Sequence, residues 1–220
     1  MIRVAVIAST GGAVYRTAAR TPFIRDRIAL VVSDRECGAI DAAREYGHRA
    51  AVLPHPGGVA FSDAVLDVLE EAGIGLAVSF YTRLFRGRLL ESYYGRLVNF
   101  HPSILPAAPG VDGFGDTIRA GARFIGSTVH LVDEGVDTGR PVLQAACPND
   151  PALPLAQRRH RIFQQQCQSL IQIISWFESG RVQMVDGEVE IRNAGYAISE
   201  FSPNLDCPEA IAFDAGAGPA

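Results

Sequence analysis

Lysine is absent from this chain: all 20 basic residues among its 220 are arginine. That excludes a Schiff-base lysine and the lysine of a phosphate-binding P-loop. Cysteine is scarce and scattered. Cys37, Cys147, Cys167 and Cys207 show no C-x-x-C and no metal-ligand spacing, so thiols in a reducing, cytoplasmic compartment are the expectation. An excess of positive charge is missing too. With 24 acidic residues against 20 basic ones, the net charge is -4 and the pI about 5.7. A nucleic-acid partner is therefore not expected, because phosphate contacts need a basic face. No apolar run approaches the ~20 residues of a membrane span. The opening Met1-Ile-Arg-Val-Ala-Val-Ile-Ala8 is too short and too strand-like for a signal peptide. No internal repeat and no low-complexity tract is found. What is present is apolar substance: 48% hydrophobic residues and a mean hydropathy of +0.12, enough for the core of one large domain or two small ones.

The central stretch is Leu97-Val-Asn-Phe-His-Pro-Ser-Ile-Leu-Pro106. Asn99 and His101 stand two residues apart and so share a face of a strand. Pro102 cannot donate to a sheet ladder and disfavours helix at His101, so the strand should stop there. An amide and an imidazole then sit at the carboxyl end of a buried strand, where open α/β sheets bind ligands.

Arg3–Ala8, Arg27–Ser33, Ala50–Leu53, Gly75–Ser79 and Arg96–Phe100 read as strands. Helical stretches at 14–19, 38–46 and 61–71 separate them, which predicts a mostly parallel sheet flanked by helices. Ser9-Thr-Gly-Gly-Ala13 joins the first strand to a helix. It is either an anion cradle of backbone N–H groups or a plain tight turn. His48 and His55 fall in loops and are expected to face solvent. Beyond Pro106 the pattern changes. Residues 107–115 look loop-like and flexible, with a short helix at 116–122. Strands at 123–132 and 140–147 flank the acidic stretch His130-Leu-Val-Asp-Glu-Gly-Val-Asp137-Thr-Gly139. A long helix follows at 156–177, then a hairpin at 181–191 turning at Asp186-Gly187. The segment 193–220 has little pattern and is expected to be a loose tail.

A carbonyl attacked by an amine needs an oxyanion stabiliser and a route for a proton. An Asn amide or a protonated His can serve the first, a His or a carboxylate the second. Asn99, His101 and Asp137 supply that set with no nucleophilic Ser or Cys. Each also has a structural reading: Asn99 as a turn cap, His101 as a satisfied core histidine, Asp137 as the side chain that holds an Asp-Thr-Gly turn. His130, inside a strand, reads as structural.

Two segments carry a resemblance: Asn99-Phe-His-Pro-Ser-Ile-Leu-Pro106, and Gly126-Ser-Thr-Val-His-Leu-Val-Asp-Glu-Gly-Val-Asp-Thr-Gly139. In motif and spacing the chain resembles the folate-dependent formyltransferases, most closely the glycinamide ribonucleotide transformylase branch. A weaker likeness runs from Met1 to about Arg192. The resemblance implies a Rossmann-like α/β formyltransferase fold with an antiparallel C-terminal extension. It implies a single domain over 1–192, with an acceptor-binding half at about 1–100 and a folate side with the catalytic loop at about 101–192. It implies transfer of a formyl group from the co-substrate 10-formyltetrahydrofolate to a primary amine, with Asn99 and His101 at the oxyanion and Asp137 assisting the proton. Arg83, Leu84, Phe85, Leu90, Val132, Asp133 and Glu134 would surround the pterin. Gly11, Gly12, Ala13, Thr82 and Gln166 would face the acceptor. No metal is implied, since Asp133, Glu134 and Asp137 are better explained as a folate loop than as ligands. A Leu105–Pro106 cis bond would suit the turn.

The departures from the family pattern gather on the acceptor side. Gly11-Gly-Ala13 replaces Gly-Ser-Asn, Ala107-Ala-Pro-Gly110 replaces Lys-Tyr-Pro-Gly, Gln166 stands for a glutamate, and Thr82 for an apolar residue. Glycinamide ribonucleotide in purine biosynthesis is the first acceptor, with a hydroxyornithine or an amino sugar as the alternative. A 10-formyltetrahydrofolate hydrolase and a non-catalytic folate- or nucleotide-binding module are the other readings. The small-molecule acceptor fits a monomer or homodimer.

Overall fold

The strand Val4–Ala8 (β1) is buried at every position, which is why it reads as an unbroken apolar run. The computed structural model describes residues 1–54 and 58–218. His55 lies outside the described residues. The chain forms two compact units, one of Met1–Asn99 with Leu131–Gly139, the other of Phe100–His130 with Arg140–Ala220.

In the first unit β1 is followed by α1 (Ala13–Ala18), α2 (Pro22–Arg25), β2 (Ile28–Ser33), α3 (Gly38–Tyr46), β3 (Arg49–Val52), α4 (Gly58–Glu71), β4 (Leu76–Phe80), α5 (Arg88–Ser92) and β5 (Leu97–His101), whose last two residues belong to the second unit. The strands run parallel in the order β3-β2-β1-β4-β5. Val6 pairs with Val31 of β2 and with Val78 of β4, and Ser79 pairs with Asn99. Alternate residues feed opposite faces. Ala5, Ile7, Leu30, Val32 and Ala77 meet Phe61, Val65, Leu66 and Leu69 of α4 in one cluster. On the other face α3 packs against β2 and β3. Gly47 ends α3 in the left-handed conformation that a glycine adopts without strain.

The second unit continues with α6 (Gly113–Arg119), β6 (Phe124–Leu131), β7 (Pro141–Pro148), α7 (Leu155–Glu178), β8 (Val182–Val185), β9 (Glu188–Ile191), β10 (Phe201–Ser202) and α8 (Pro208–Ile211). β6 and β7 are antiparallel, and β10 adds to β7 antiparallel with Phe201 opposite Ala145. β8 and β9 form a hairpin whose turn residues Asp186 and Gly187 both have positive φ. Parallel pairing in the first unit and antiparallel pairing in the second are the expected α/β architecture.

Three local expectations are corrected. The segment 193–220 is not a loose tail. It supplies β10 and α8 and is laced along α7 by side-chain amides. Gln164 Nε2 donates to Phe213 O (2.7 Å), Gln168 Nε2 to Ala210 O (3.2 Å) and Gln172 Nε2 to Asp206 Oδ1 (2.8 Å). The order comes from the helix and not from any apolar period in the tail, so a search for periodicity misses it. α6 starts at Gly113, inside the stretch expected to be flexible, because Asp112 caps it by accepting the Gly115 N–H (3.2 Å). His48 is half-buried and not turned to solvent. It pairs with the Tyr15 hydroxyl through Nδ1 (2.6 Å) and with Arg25 O through Nε2 (2.9 Å). Burial lowers its pKa, and the nearby Arg25 charge acts in the same direction.

Candidate functional site

β5 ends at His101, as the following proline requires. Asn99 is half-buried, and His101 is buried at 3% exposure. His101 Nε2 lies 2.8 Å from Ala108 O. A carbonyl only accepts, so Nε2 carries the proton, and Nδ1 is the basic nitrogen of the neutral ring. The turn that presents Ala108 O is held from several sides. Ser103 Oγ donates to Ala107 O (2.7 Å) and Ala108 O (3.0 Å). Thr128 Oγ1 donates to Ser103 O (2.8 Å) and accepts from Leu105 N (3.0 Å). Gln144 Nε2 donates to Leu105 O (2.7 Å). The Leu105–Pro106 bond is cis. Gly113 closes against the imidazole, for a Cβ there would collide with His101 Nε2 and stand 2.9 Å from Cε1. Sequence reasoning missed Ser103, Thr128, Gln144 and Gly113 as supports of His101. The signal available was a polar Ser-Thr pair and a Gln placed to point inward from otherwise apolar strands.

Asp137 sits in the Leu131–Gly139 segment of the first unit at φ 53. Val132 N–H donates to Leu97 O (2.9 Å), which ties that segment to β5. Asp133 Oδ1 accepts from Gly135 N (3.0 Å) and Thr138 Oγ1 (2.7 Å), so its carboxylate closes the loop on itself. Arg86 donates to Glu134 O, a second tie from the β4–β5 connection.

The other expected residues of the first unit gather at the carboxyl ends of β1 and β4. Gly12 caps α1 at φ 59, and a Cβ there would meet Ala39 Cβ at 2.7 Å. Gly11 and Ala13 are exposed beside it. Thr82 Oγ1 reaches Ser9 Oγ (3.3 Å) at the end of β1. Arg83 lies 3.8 Å from Asp34 Oδ2. Leu84 is exposed, whereas Phe85 is buried against Tyr81 in the core and Leu90 packs on the same cluster. Of these, Arg83 and Leu84 expose their side chains and Phe85 does not. Gln166 is half-buried on α7, in the second unit.

Residues 2–174 match the family model described as formyl transferase. The chain belongs to that family. It is a formyl-transferring enzyme, and its two motifs lie within the matched residues. Among the relatives of this formyl transferase, the phosphoribosylglycinamide formyltransferase of Haemophilus influenzae is 30% identical over 194 residues, covering 84% of this chain and 92% of that protein. That of Bacillus subtilis is 36% identical over 142 residues, covering 61% of this chain and 73% of that one. The crystal structure of glycinamide ribonucleotide transformylase 1 from Symbiobacterium toebii superposes with a TM-score of 0.80 at 32% identity, over 87% of this chain and 94% of that one. Among the described residues no helix is long and apolar enough to cross a membrane.

Proposed function

We propose that this formyl transferase moves the formyl group of 10-formyltetrahydrofolate to the primary amine of glycinamide ribonucleotide, in purine biosynthesis. The observation that carries the acceptor is the near full-length match, 92% of the Haemophilus influenzae protein, to a relative whose name states it. The transfer of one-carbon units to hydroxyornithine or an amino sugar, hydrolysis of the donor, and a non-catalytic binding role are not favoured by these relatives.

In the proposed chemistry the acceptor nitrogen attacks the formyl carbon and the carbonyl oxygen becomes an oxyanion. The Asn99 amide and a protonated His101 stabilise that oxygen. The intermediate collapses by breaking the bond to the donor nitrogen, while the acceptor nitrogen loses a proton and the donor nitrogen gains one. Asp137 assists that exchange and holds His101 in its working state. Two features support these roles. Asn99 and His101 occupy alternate positions at the end of one strand, and Nε2 of His101 is already committed to Ala108 O, so the ring is held in one orientation. Arg83, Leu84, Phe85, Leu90, Val132, Asp133 and Glu134 are proposed around the pterin, and Gly11, Gly12, Ala13, Thr82 and Gln166 around the acceptor. The proposed halves, an acceptor-binding one near 1–100 and a folate side at about 101–192, do not coincide with the two compact units, because the proposed pterin residues all lie in the first unit and Gln166 lies in the second.

The test is turnover of 10-formyl-dideazafolate, followed spectroscopically, with glycinamide ribonucleotide and without it. Turnover that needs the acceptor and disappears in His101→Ala supports the reading. Equal turnover without acceptor identifies a hydrolase and overturns it.

A further inference from the structure

The turn after β5 carries a strained residue whose carbonyl serves the imidazole. Ala108 has φ 52, in the left-handed region that a residue with a Cβ seldom adopts. Its carbonyl accepts two bonds, from His101 Nε2 at 2.8 Å and from Ser103 Oγ at 3.0 Å. Both lone pairs of that oxygen are then used. Ser103 is completely buried, and its single hydroxyl proton is shared between this carbonyl and Ala107 O at 2.7 Å.

These bonds lie at the tip of the turn, and the base is fastened separately. Thr128 Oγ1 and Gln144 Nε2 hold the main chain of Ser103 and Leu105, and Ala107 N–H donates to Ile104 O at 3.1 Å. Gly126 on β6 gives the turn its seat, since a Cβ there would stand 2.8 Å from Ile104 Cγ1. On the other side Asp112 caps α6, and Thr117 Oγ1 donates to Gly113 O at 2.7 Å, which keeps Gly113 against the ring. The surrounding fold is thus secured without the Ser103 hydroxyl. What the hydroxyl adds is the place of one carbonyl, and that carbonyl takes the His101 proton. A left-handed alanine persists only where its neighbours over-determine it, and such strain gathers at working sites.

We propose that Ser103 is a positioning residue for the reaction. It holds the Ala108 carbonyl in its strained place, which fixes the Nε2–H tautomer and the plane of His101, so that the chemistry is done at Nδ1. Ser103 does not touch substrate. In the cationic ring the Nδ1 proton is then the one that meets the oxyanion. The inference rests on the formyl-transfer reading for the role of His101, but not for the hold on the ring.

Proton–nitrogen correlation spectra of the imidazole rings, taken on the full chain with isotope-labelled histidine in mildly alkaline buffer, read the tautomer directly. The signal missing from His101→Ala belongs to His101. It should show one Nε2–H tautomer in the wild type and a mixture of both in Ser103→Ala. With 10-formyl-dideazafolate and glycinamide ribonucleotide, Ser103→Ala should lower kcat at least about tenfold and leave KM for both little changed. In the His101→Ala background the same substitution should alter kcat less than about twofold, because the two residues act as a unit. A residue that only holds the fold would lower kcat alike in both backgrounds. An unchanged tautomer in Ser103→Ala, wild-type kcat, or an equal loss in both backgrounds overturns the proposal.

Should Ser103→Ala fail to fold, Ala108→Pro decides. Its φ is fixed at about −65°, so the carbonyl must leave the imidazole, and the same mixture of tautomers and fall in kcat are expected. A wild-type ring spectrum there overturns the proposal. If His101→Ala keeps wild-type kcat, the formyl-transfer role of His101 fails, and the ring spectrum alone judges the hold: a mixture in Ser103→Ala supports it and an unchanged tautomer overturns it.

Discussion

Asp206 and Gln172 hold each other twice. Gln172 Nε2 donates to Asp206 Oδ1 at 2.8 Å, and Gln172 Oε1 accepts the Asp206 backbone N–H at 2.7 Å. The same Oε1 accepts from Cys207 N (2.9 Å), while Trp176 Nε1 and Arg181 Nη2 donate to the Asp206 carboxylate at 3.0 and 2.7 Å. A fully buried glutamine on α7 thereby fastens the segment between β10 and α8. Gln172→Ala leaves several of these groups buried and unmatched and should cost roughly 2–3 kcal/mol. Urea unfolding measures it, and a loss below about 0.5 kcal/mol would count against the fastening.

The same carboxylate predicts acid sensitivity. Desolvation alone would raise the Asp206 pKa, but hydrogen bonds from Arg181, Trp176 and Gln172 outweigh it and hold the group below its usual value. A carboxyl with a depressed folded-state pKa contributes stability above its unfolded value of about 3.9, and loses it as pH falls through the folded value. The stability gap between wild type and Asp206→Asn should therefore be largest near neutrality and shrink in acid. A gap that stays constant from pH 7 to pH 3 would falsify this linkage.

His48 gives a pH effect higher on the scale. Its pKa is lowered by burial, so protons bind the unfolded chain more readily than the folded one. Its contribution is complete above the unfolded value of about 6.5 and falls as pH drops through the folded value. Thermal melts across pH 7 to 5 should show a steeper decline for the wild type than for His48→Gln. Tyr15→Phe, which removes the 2.6 Å partner, should cost about 1 kcal/mol at pH 7.

Removing one oxyanion donor should lower kcat by about 10²–10³ with the fold intact. Asn99→Ala and His101→Ala are the variants, and their far-UV circular dichroism should match the wild type. Normal kcat in either would remove that residue from the proposed chemistry.

Gly113→Ala tests the same imidazole from behind. The added methyl would stand 3.0 Å from Ala108 O and collide with His101 Nε2, so either the ring or the turn must shift. A stability loss of about 1–3 kcal/mol is expected, with a fall in kcat larger than any change in KM. Activity equal to the wild type would mean that the His101 orientation is not set by this contact.

The parallel half of the fold was legible because its signal is local. A strand buried on both faces is apolar throughout, as in Val4–Ala8, and Gly47 punctuates the helix before it. β5 could be ended at His101 from a single proline. The 193–220 segment was not legible, because its partners are the glutamines of α7, distant in sequence. The short helix α2 and strand β10 went unread for want of length. Of the candidate site, the residue types and the strand end could be read from order alone. The supports of His101 could not, because Thr128 and Gln144 reach the 103–108 turn from strands far along the chain.

The way α7 grips the end of the chain has an evolutionary corollary. Gln164 and Gln168 take the carbonyl oxygens of Phe213 and Ala210, and Gln164 also accepts the Ala215 N–H at 2.6 Å. Every one of these contacts reads main chain, which all residue types share, apart from the missing N–H of proline. Side chains at 213 and 215 can drift without loosening the attachment, whereas the glutamines and the fully buried Ala210 cannot. The terminus is thus a place where homologues can diverge in sequence while conserving a docked path.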